Sequence, residues 1–228
     1  MILLLLGPRR RFPSTSSSRG LRWADAAPAG PGVRDDAPVT SAEQPLGDLD
    51  RTALVVVDVQ RGFEDPIWGV PGPEHLGNVL ALLGAWRAAG RPVVLVRHDS
   101  TTPGSPLAPG QPGNDLVDGV DGPHDLLVVK SVNSAFHGEP DLDAWLRAEA
   151  VDGVVVCGTT TNHCCETTAR VGGNLGHRVL FALDATSTFD RTGPDGTVLT
   201  AEELVRATAT NLHGEFATVV STAQLLGR

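Results

Sequence analysis

Six short apolar runs, most of them β-branched, punctuate the chain: Thr52–Val57 (TALVVV), Pro92–Val96 (PVVLV), Leu126–Val129 (LLVV), Val154–Cys157 (VVVC), Val179–Leu183 and Ala217–Val220. They are apolar throughout instead of alternating, which is the pattern of strands buried on both faces. Between them lie segments with helical spacing. Glu74–Gly90 places Leu76, Val79, Leu80, Leu83 and Trp86 along one face and closes on Gly90. Leu142–Ala150 follows Pro140, Cys164–Leu175 stops at Gly176, and Ala201–Leu212 and Thr222–Leu226 complete the set. Strands alternating with helices predict an α/β fold: a three-layer, doubly wound, Rossmann-like parallel sheet with helices on both faces. The connection from His98 to Asp125 is rich in Pro and Gly and shows no element, and loops of that length are usually functional.

Composition changes the picture only at the start of the chain. Of 228 residues, 41% are apolar and 20% charged, enough to bury a sizeable core. Residues 1–45 differ, with an apolar opening, Arg9–Arg11, Ser16–Ser18 and then Pro, Gly and Ala. They read as a disordered N-terminal extension or a misassigned start, with a transit peptide the weaker alternative, and 46–228 as the folded domain. The net charge of −9 speaks against a nucleic-acid surface or an anionic membrane as partner. No apolar run approaches the ~20 residues of a membrane span. The three cysteines, Cys157, Cys164 and Cys165, lie too close together for a disulfide framework, so reduced thiols and a cytoplasmic location are expected.

Sites in doubly wound sheets form outside the carboxyl ends of the strands. The first strand ends in Asp58 and the second in Arg97-His98-Asp99. The third ends in Lys130, the sole lysine among 18 basic residues, and the fourth in Gly158, leading to Thr159-Thr160-Thr161-Asn162-His163-Cys164. An acid, an ammonium and a thiol thus reach one edge. A helix start and a neighbouring ammonium favour a thiolate at Cys164. A carboxylate can take the thiol proton and return it to a leaving amine. Backbone N–H groups at the turn can hold an oxyanion.

The segments TALVVVDVQRGF, VVKSVNSAF and VVVCGTTTNHCCETTAR resemble, in order, the signature segments of the isochorismatase-like cysteine hydrolases, which include nicotinamidase and N-carbamoylsarcosine amidohydrolase. The resemblance runs from about Thr52 to Leu226. It implies a six-stranded parallel sheet in the order 3-2-1-4-5-6. It implies Asp58 as general acid/base, Lys130 as the polarising cation and Cys164 as the nucleophile. It further implies a cis peptide between Thr159 and Thr160 and an oxyanion hole from the Thr160 and Cys164 N–H groups. The expected activity is hydrolysis of a C–N bond in a small amide, carbamoyl or ureide substrate through a thioester. No cofactor is implied, and a homo-oligomer, dimer or tetramer, is.

Nicotinamidases carry a metal-binding Asp-x-His after the second strand, but here Asp99 is followed by Thr101, so neither that activity nor that metal site is expected. A different site built on His98 and Asp99 stays open, beside their plainer role in loop hydrogen bonding. Isochorismatases proper lack the nucleophilic cysteine, so Cys164 favours amide chemistry over vinyl-ether hydrolysis. Phe63, Trp68 and Phe136, in loops past Asp58 and Lys130, read as pocket walls, and Gln60 and Asn133 as polar substrate contacts. Cys157 and Cys165 read as packing, Asp184 as the cap of its own turn, and His163 as a poor partner for its neighbour Cys164. The alternatives are a catalytically idle scaffold that binds a ligand, and a nucleotide binder. The latter lacks the glycine fingerprint after the first strand.

Overall fold

The computed structural model describes residues 46–65, 68 and 74–228; the expectation for residues 1–45 lies outside them. The elements run β1 (Thr52–Val57), α1 (His75–Ala89), β2 (Val93–His98), β3 (Leu126–Lys130), α2 (Leu142–Ala148), β4 (Gly153–Thr159), α3 (Glu166–Asn174), β5 (Arg178–Ser187), β6 (Arg191–Thr192), β7 (Val198–Leu199), α4 (Ala201–Leu212), β8 (Thr218–Val220) and α5 (Thr222–Leu225). Six strands form one parallel sheet in the order β3-β2-β1-β4-β5-β8. This is the expected topology. The sixth strand is β8 by number because β6 and β7 form a separate antiparallel ribbon.

The apolar runs become strands because both faces are covered. Along β1, Ala53, Val55 and Val57 pack with Leu142 and Leu146 of α2, Ala169 of α3 and Leu212 of α4. Leu54 and Val56 pack on the other face with Val79, Leu83 and Trp86 of α1 and Leu225 of α5. Each such side chain contributes roughly 1.5–3 kcal/mol on full burial. The buried face of α1 uses Leu82, whereas Leu80 is exposed. The Trp86 indole N–H donates to the Thr52 carbonyl (2.9 Å), fixing α1 on the central strand.

Three departures from the sequence reading bear on the site. First, β5 extends four residues beyond the apolar run, to Ser187. Its pairing with β4 breaks between Val156 and Gly158, so Thr186 and Ser187 lie beside Gly158 and Thr159. Second, Thr161–Cys165 is a turn of π-helix, and α3 starts only at Glu166, so Cys164 precedes the α-helix. Third, the His98–Asp125 connection, read as showing no element, holds a single 3-10 turn at Pro112–Asn114. Buried Asn114 donates to the His98 carbonyl, the Leu107 carbonyl and Asp99 Oδ1 at 2.9–3.0 Å. Gly158 has φ +120, and a Cβ there would lie 2.0 Å from the Val57 carbonyl oxygen. Only glycine lets β4 run this close to β1 at the turn into the site.

Candidate active site

Asp58 follows the last residue of β1 with its backbone in the left-handed region, φ +50. Non-glycine residues adopt this conformation rarely, and mostly where the surrounding structure imposes it. Here the Asp58 N–H donates to the Val96 carbonyl (3.0 Å) and the Asp58 carbonyl accepts from the Gln60 N–H (2.9 Å). The side chain, fully buried, accepts a 2.6 Å hydrogen bond from Lys130 Nζ on its Oδ2, and the lysine side chain is fully buried too. Asp58 Oδ1 is buried and has no hydrogen-bond partner. Burial raises the carboxyl pKa above its ordinary value, against the opposing pull of Lys130.

Lys130 closes β3, opposite His98 of β2 in the parallel register. His98 Nδ1 lies 3.4 Å from Nζ. Burial and the Lys130 charge lower the His98 pKa, and its ring also hydrogen-bonds the Val132 backbone. A neutral imidazole beside an ammonium accepts from it through Nδ1. His98 therefore positions Lys130, a role that the sequence reading did not give it. The signal was its place at a strand end level with the lysine.

Cys164 lies at the end of the π turn, 8% exposed. Its thiol is within interaction distance of the Asp58 carboxyl and of Lys130. In the rotamer present, Sγ donates to Asn133 Oδ1 at 3.8 Å, which leaves Asp58 Oδ1 free. Burial first, and the Asp58 charge next, push the Cys164 pKa up to about 12, with Lys130 pulling the other way. Burial and the neighbouring carboxylate thus oppose the thiolate that a helix start and Lys130 would favour, and α3 itself starts two residues later. The turn is tied down by hydroxyls of β5 and beyond, Thr161 to Thr186 (2.9 Å) and Thr188 to Asn162 (2.6 Å), and the His163 and Cys165 N–H groups both donate to the Thr160 carbonyl (3.2 Å). The Thr159–Thr160 peptide is cis.

The remaining expected residues separate. Phe63 and Trp68 meet at 5.5 Å between ring centroids and both contact Phe189 at 6.3 Å, an aromatic trio whose third member the sequence reading did not include. Asn133 is exposed and touches the thiol. Gln60 is buried with both ends engaged: Oε1 accepts from the His98 N–H (2.8 Å), and Nε2 donates to the His98 and Asn114 carbonyls. It clamps the end of β2 and has no free atom for a ligand. Phe136 packs into the core, stacked on His177 and against Gly172 of α3. Asp99 holds Arg97 (2.8 and 3.1 Å) and accepts from Asn114, while His98 turns to Lys130. Among the described residues no cluster of three or more metal-ligating side chains occurs. Asp184 reaches across to the Thr222 N–H and hydroxyl at the start of α5 instead of capping its own turn. Cys157 and Cys165 are fully buried, one on each side of the sheet, and burial drives both thiol pKa values far upward. His163 makes no hydrogen bond to Cys164 among the described residues. No helix of these residues is long and apolar enough to cross a membrane.

The family model described as the isochorismatase domain matches residues 52–224. An uncharacterised isochorismatase family protein of Bacillus subtilis, YrdC, is 34% identical over 184 residues, covering 78% of this chain and 95% of its own. Nicotinamidase 3 of Arabidopsis thaliana is 33% identical over 187 residues, covering 76% of this chain and 86% of its own. The crystal structure of a cysteine hydrolase from Pseudomonas syringae superposes with a TM-score of 0.71 at 31% identity, covering 79% of this chain and 92% of that one.

Proposed function

The chain belongs to the isochorismatase family of hydrolases, and from that premise we propose that it cleaves the C–N bond of a small amide, carbamoyl or ureide substrate through a thioester on Cys164. The observation that carries this reading is the convergence of three strand ends: Lys130 Nζ on Asp58 Oδ2 at 2.6 Å, with the Cys164 thiol against the same carboxyl. As Sγ attacks the carbonyl carbon, its proton passes to Asp58 and the carbonyl electron pair moves onto oxygen. The Thr160 and Cys164 N–H groups hold that oxyanion. Collapse breaks the C–N bond, and Asp58 protonates the leaving nitrogen. Water then gives Asp58 a proton as it adds to the thioester, and Sγ leaves and recovers that proton. Lys130 keeps Asp58 oriented and partly ionised inside the core. The resting thiol suits this scheme, since attack and proton transfer occur together.

The test is ammonia release from a panel of small primary amides, N-carbamoyl acids and ureides. At least one class is expected to yield ammonia and the corresponding acid in equal amounts. Tight binding of such compounds with no turnover would overturn the reading in favour of an idle scaffold.

The pH dependence follows from the two shifts. Asp58 must be ionised to accept the proton, and its pKa lies above the 3.8 of an ordinary aspartate. kcat/KM therefore falls as pH drops through that raised value. Cys164, pushed up to about 12, stays protonated across the working range, so no alkaline rise is expected. A rise tracking ordinary thiol ionisation near ~8.5 would contradict the concerted step.

A further inference from the structure

The Cys164 thiol lies between two acceptors of opposite character. The Asp58 carboxyl is fully buried, whereas Asn133 is exposed, and its Oδ1 accepts the thiol hydrogen bond at 3.8 Å. The backbone that carries Asn133 is held on both sides. The His98 ring hydrogen-bonds the Val132 backbone, the Phe136 N–H donates to Ser134 Oγ (3.2 Å), and the Ala135 N–H donates to Thr168 Oγ1 of α3 (3.0 Å). The amide head itself is uncommitted. Among the described residues Nδ2 makes no hydrogen bond, and Oδ1 meets only Sγ. The other side-chain amides around the site are engaged by the protein: Gln60 at both ends, Asn114 by the His98 and Leu107 carbonyls and Asp99, and Asn162 by Thr188.

The attack on substrate frees Asn133 Oδ1. As the S–C bond forms, the thiol proton passes to Asp58, and Oδ1 loses its donor. The reacting carbon then carries Sγ, the oxyanion, the leaving nitrogen and the substituent that stays behind. The leaving nitrogen must reach the buried Asp58 carboxyl to be protonated. The retained substituent therefore takes the open side of the thiol, where Asn133 stands. An acceptor that has just lost its donor is best satisfied by an N–H. In a carboxamide the retained atom is a carbon and offers none. In a ureide it is a nitrogen.

We propose that Asn133 is a specificity-determining residue: its Oδ1 accepts an N–H on the retained side of the reacting carbon, so that the site prefers ureides to carboxamides of the same shape. The proposal rests on the reading of Cys164 as the nucleophile. For a ureide, the C–N bond to the terminal amino group breaks and ammonia leaves with the proton from Asp58. Water then releases a carbamic acid from Sγ, which splits into carbon dioxide and an amine.

A matched set of uncharged probes tests this, each releasing ammonia. At the retained position N-methylurea has an N–H, propionamide a methylene, and N,N-dimethylurea a nitrogen without hydrogen. The readout is the ratio of kcat/KM for N-methylurea to that for propionamide, in which a general disturbance of the site cancels. In Asn133→Leu this ratio is expected to fall about tenfold from its wild-type value, the effect of one neutral hydrogen bond. The ratio of N-methylurea to N,N-dimethylurea should fall alike. Asn133→Asp keeps the acceptor and should keep both ratios, although its charge slows every substrate. Ratios unchanged in Asn133→Leu overturn the proposal and leave the hydrolase reading standing. So does a wild type that releases ammonia from carboxamides and none from N-methylurea. Release of ammonia from no amide or ureide overturns the hydrolase reading, and the proposal with it.

Discussion

Lys130→Met and Asp58→Asn are expected to destabilise the protein more as single substitutions than as a pair. Both side chains are fully buried and joined at 2.6 Å, so removing one strands the other in the core. Breaking a buried pair costs about 3–5 kcal/mol, whereas replacing both members by neutral groups of similar volume is often close to neutral. Lys130→Met leaves Asp58 without its cation. The carboxyl then keeps a proton that the unfolded chain, with an ordinary aspartate, gives up above about 4. The folded state binds more protons there, so the stability of this variant falls as pH rises from 5 to 8. Asp58→Asn leaves a buried ammonium with only neutral acceptors, the new amide and His98 Nδ1. The double variant Asp58→Asn/Lys130→Met should recover most of the stability and none of the hydrolysis. Urea unfolding at pH 6 and pH 8, with ammonia release measured beside it, checks both halves. Additive losses in the double variant would show that the pair is not the unit that holds this edge of the sheet.

Cys164→Ala is expected to lower turnover by about 10⁴-fold or more, the scale seen when a covalent nucleophile is removed. Cys164→Ser should do nearly as badly, because Asp58 is matched to a thiol proton and a hydroxyl is harder to ionise. Neither should cost much stability, since the one hydrogen bond that Sγ donates in the rotamer present is the long one to Asn133 and Cys164 is 8% exposed. The neighbouring Cys165→Ala should show the reverse. Its side chain is fully buried among core residues, so its loss removes packing at a cost of about 1 kcal/mol and leaves turnover within a few-fold. Equal losses of turnover in Cys164→Ala and Cys165→Ala would remove the basis for a single nucleophile. The comparison is sharp because the two residues are consecutive and a single turn aims one at Asp58 and the other into the core.

Much of the sheet was legible because buried parallel strands are written as continuous apolar runs. Asp58 and Lys130 were found for the same reason: each is the first charged residue after such a run, and the topology places those ends at one edge of the sheet, on either side of β2. What the sequence hid depends on contacts between distant segments. The π turn has the same residue types as an α-helical first turn, so nothing local separates Cys164 before α3 from Cys164 within it. The ribbon β6–β7 has two residues per strand, and both residues of β7 are exposed, which leaves no pattern to read. Asn114 and His98 act through partners that only the folded chain defines. Phe136 and Phe63 both follow a charged strand end, yet one lies under α3 and the other joins the aromatic trio, because the two loops turn to different sides.

The most direct test of the site is the rate of iodoacetamide alkylation at neutral pH, mapped to individual cysteines, in the wild type, Asp58→Asn and Asp58→Asn/Lys130→Met. A buried thiol held protonated reacts only if a neighbour takes its proton. The wild type is therefore expected to give one rapid adduct, at Cys164, slowed by about a hundredfold or more in both variants that lack the carboxylate. Alkylation of Cys164 at the same rate with and without Asp58 would contradict the proposed role of the carboxylate and, with it, the hydrolytic mechanism.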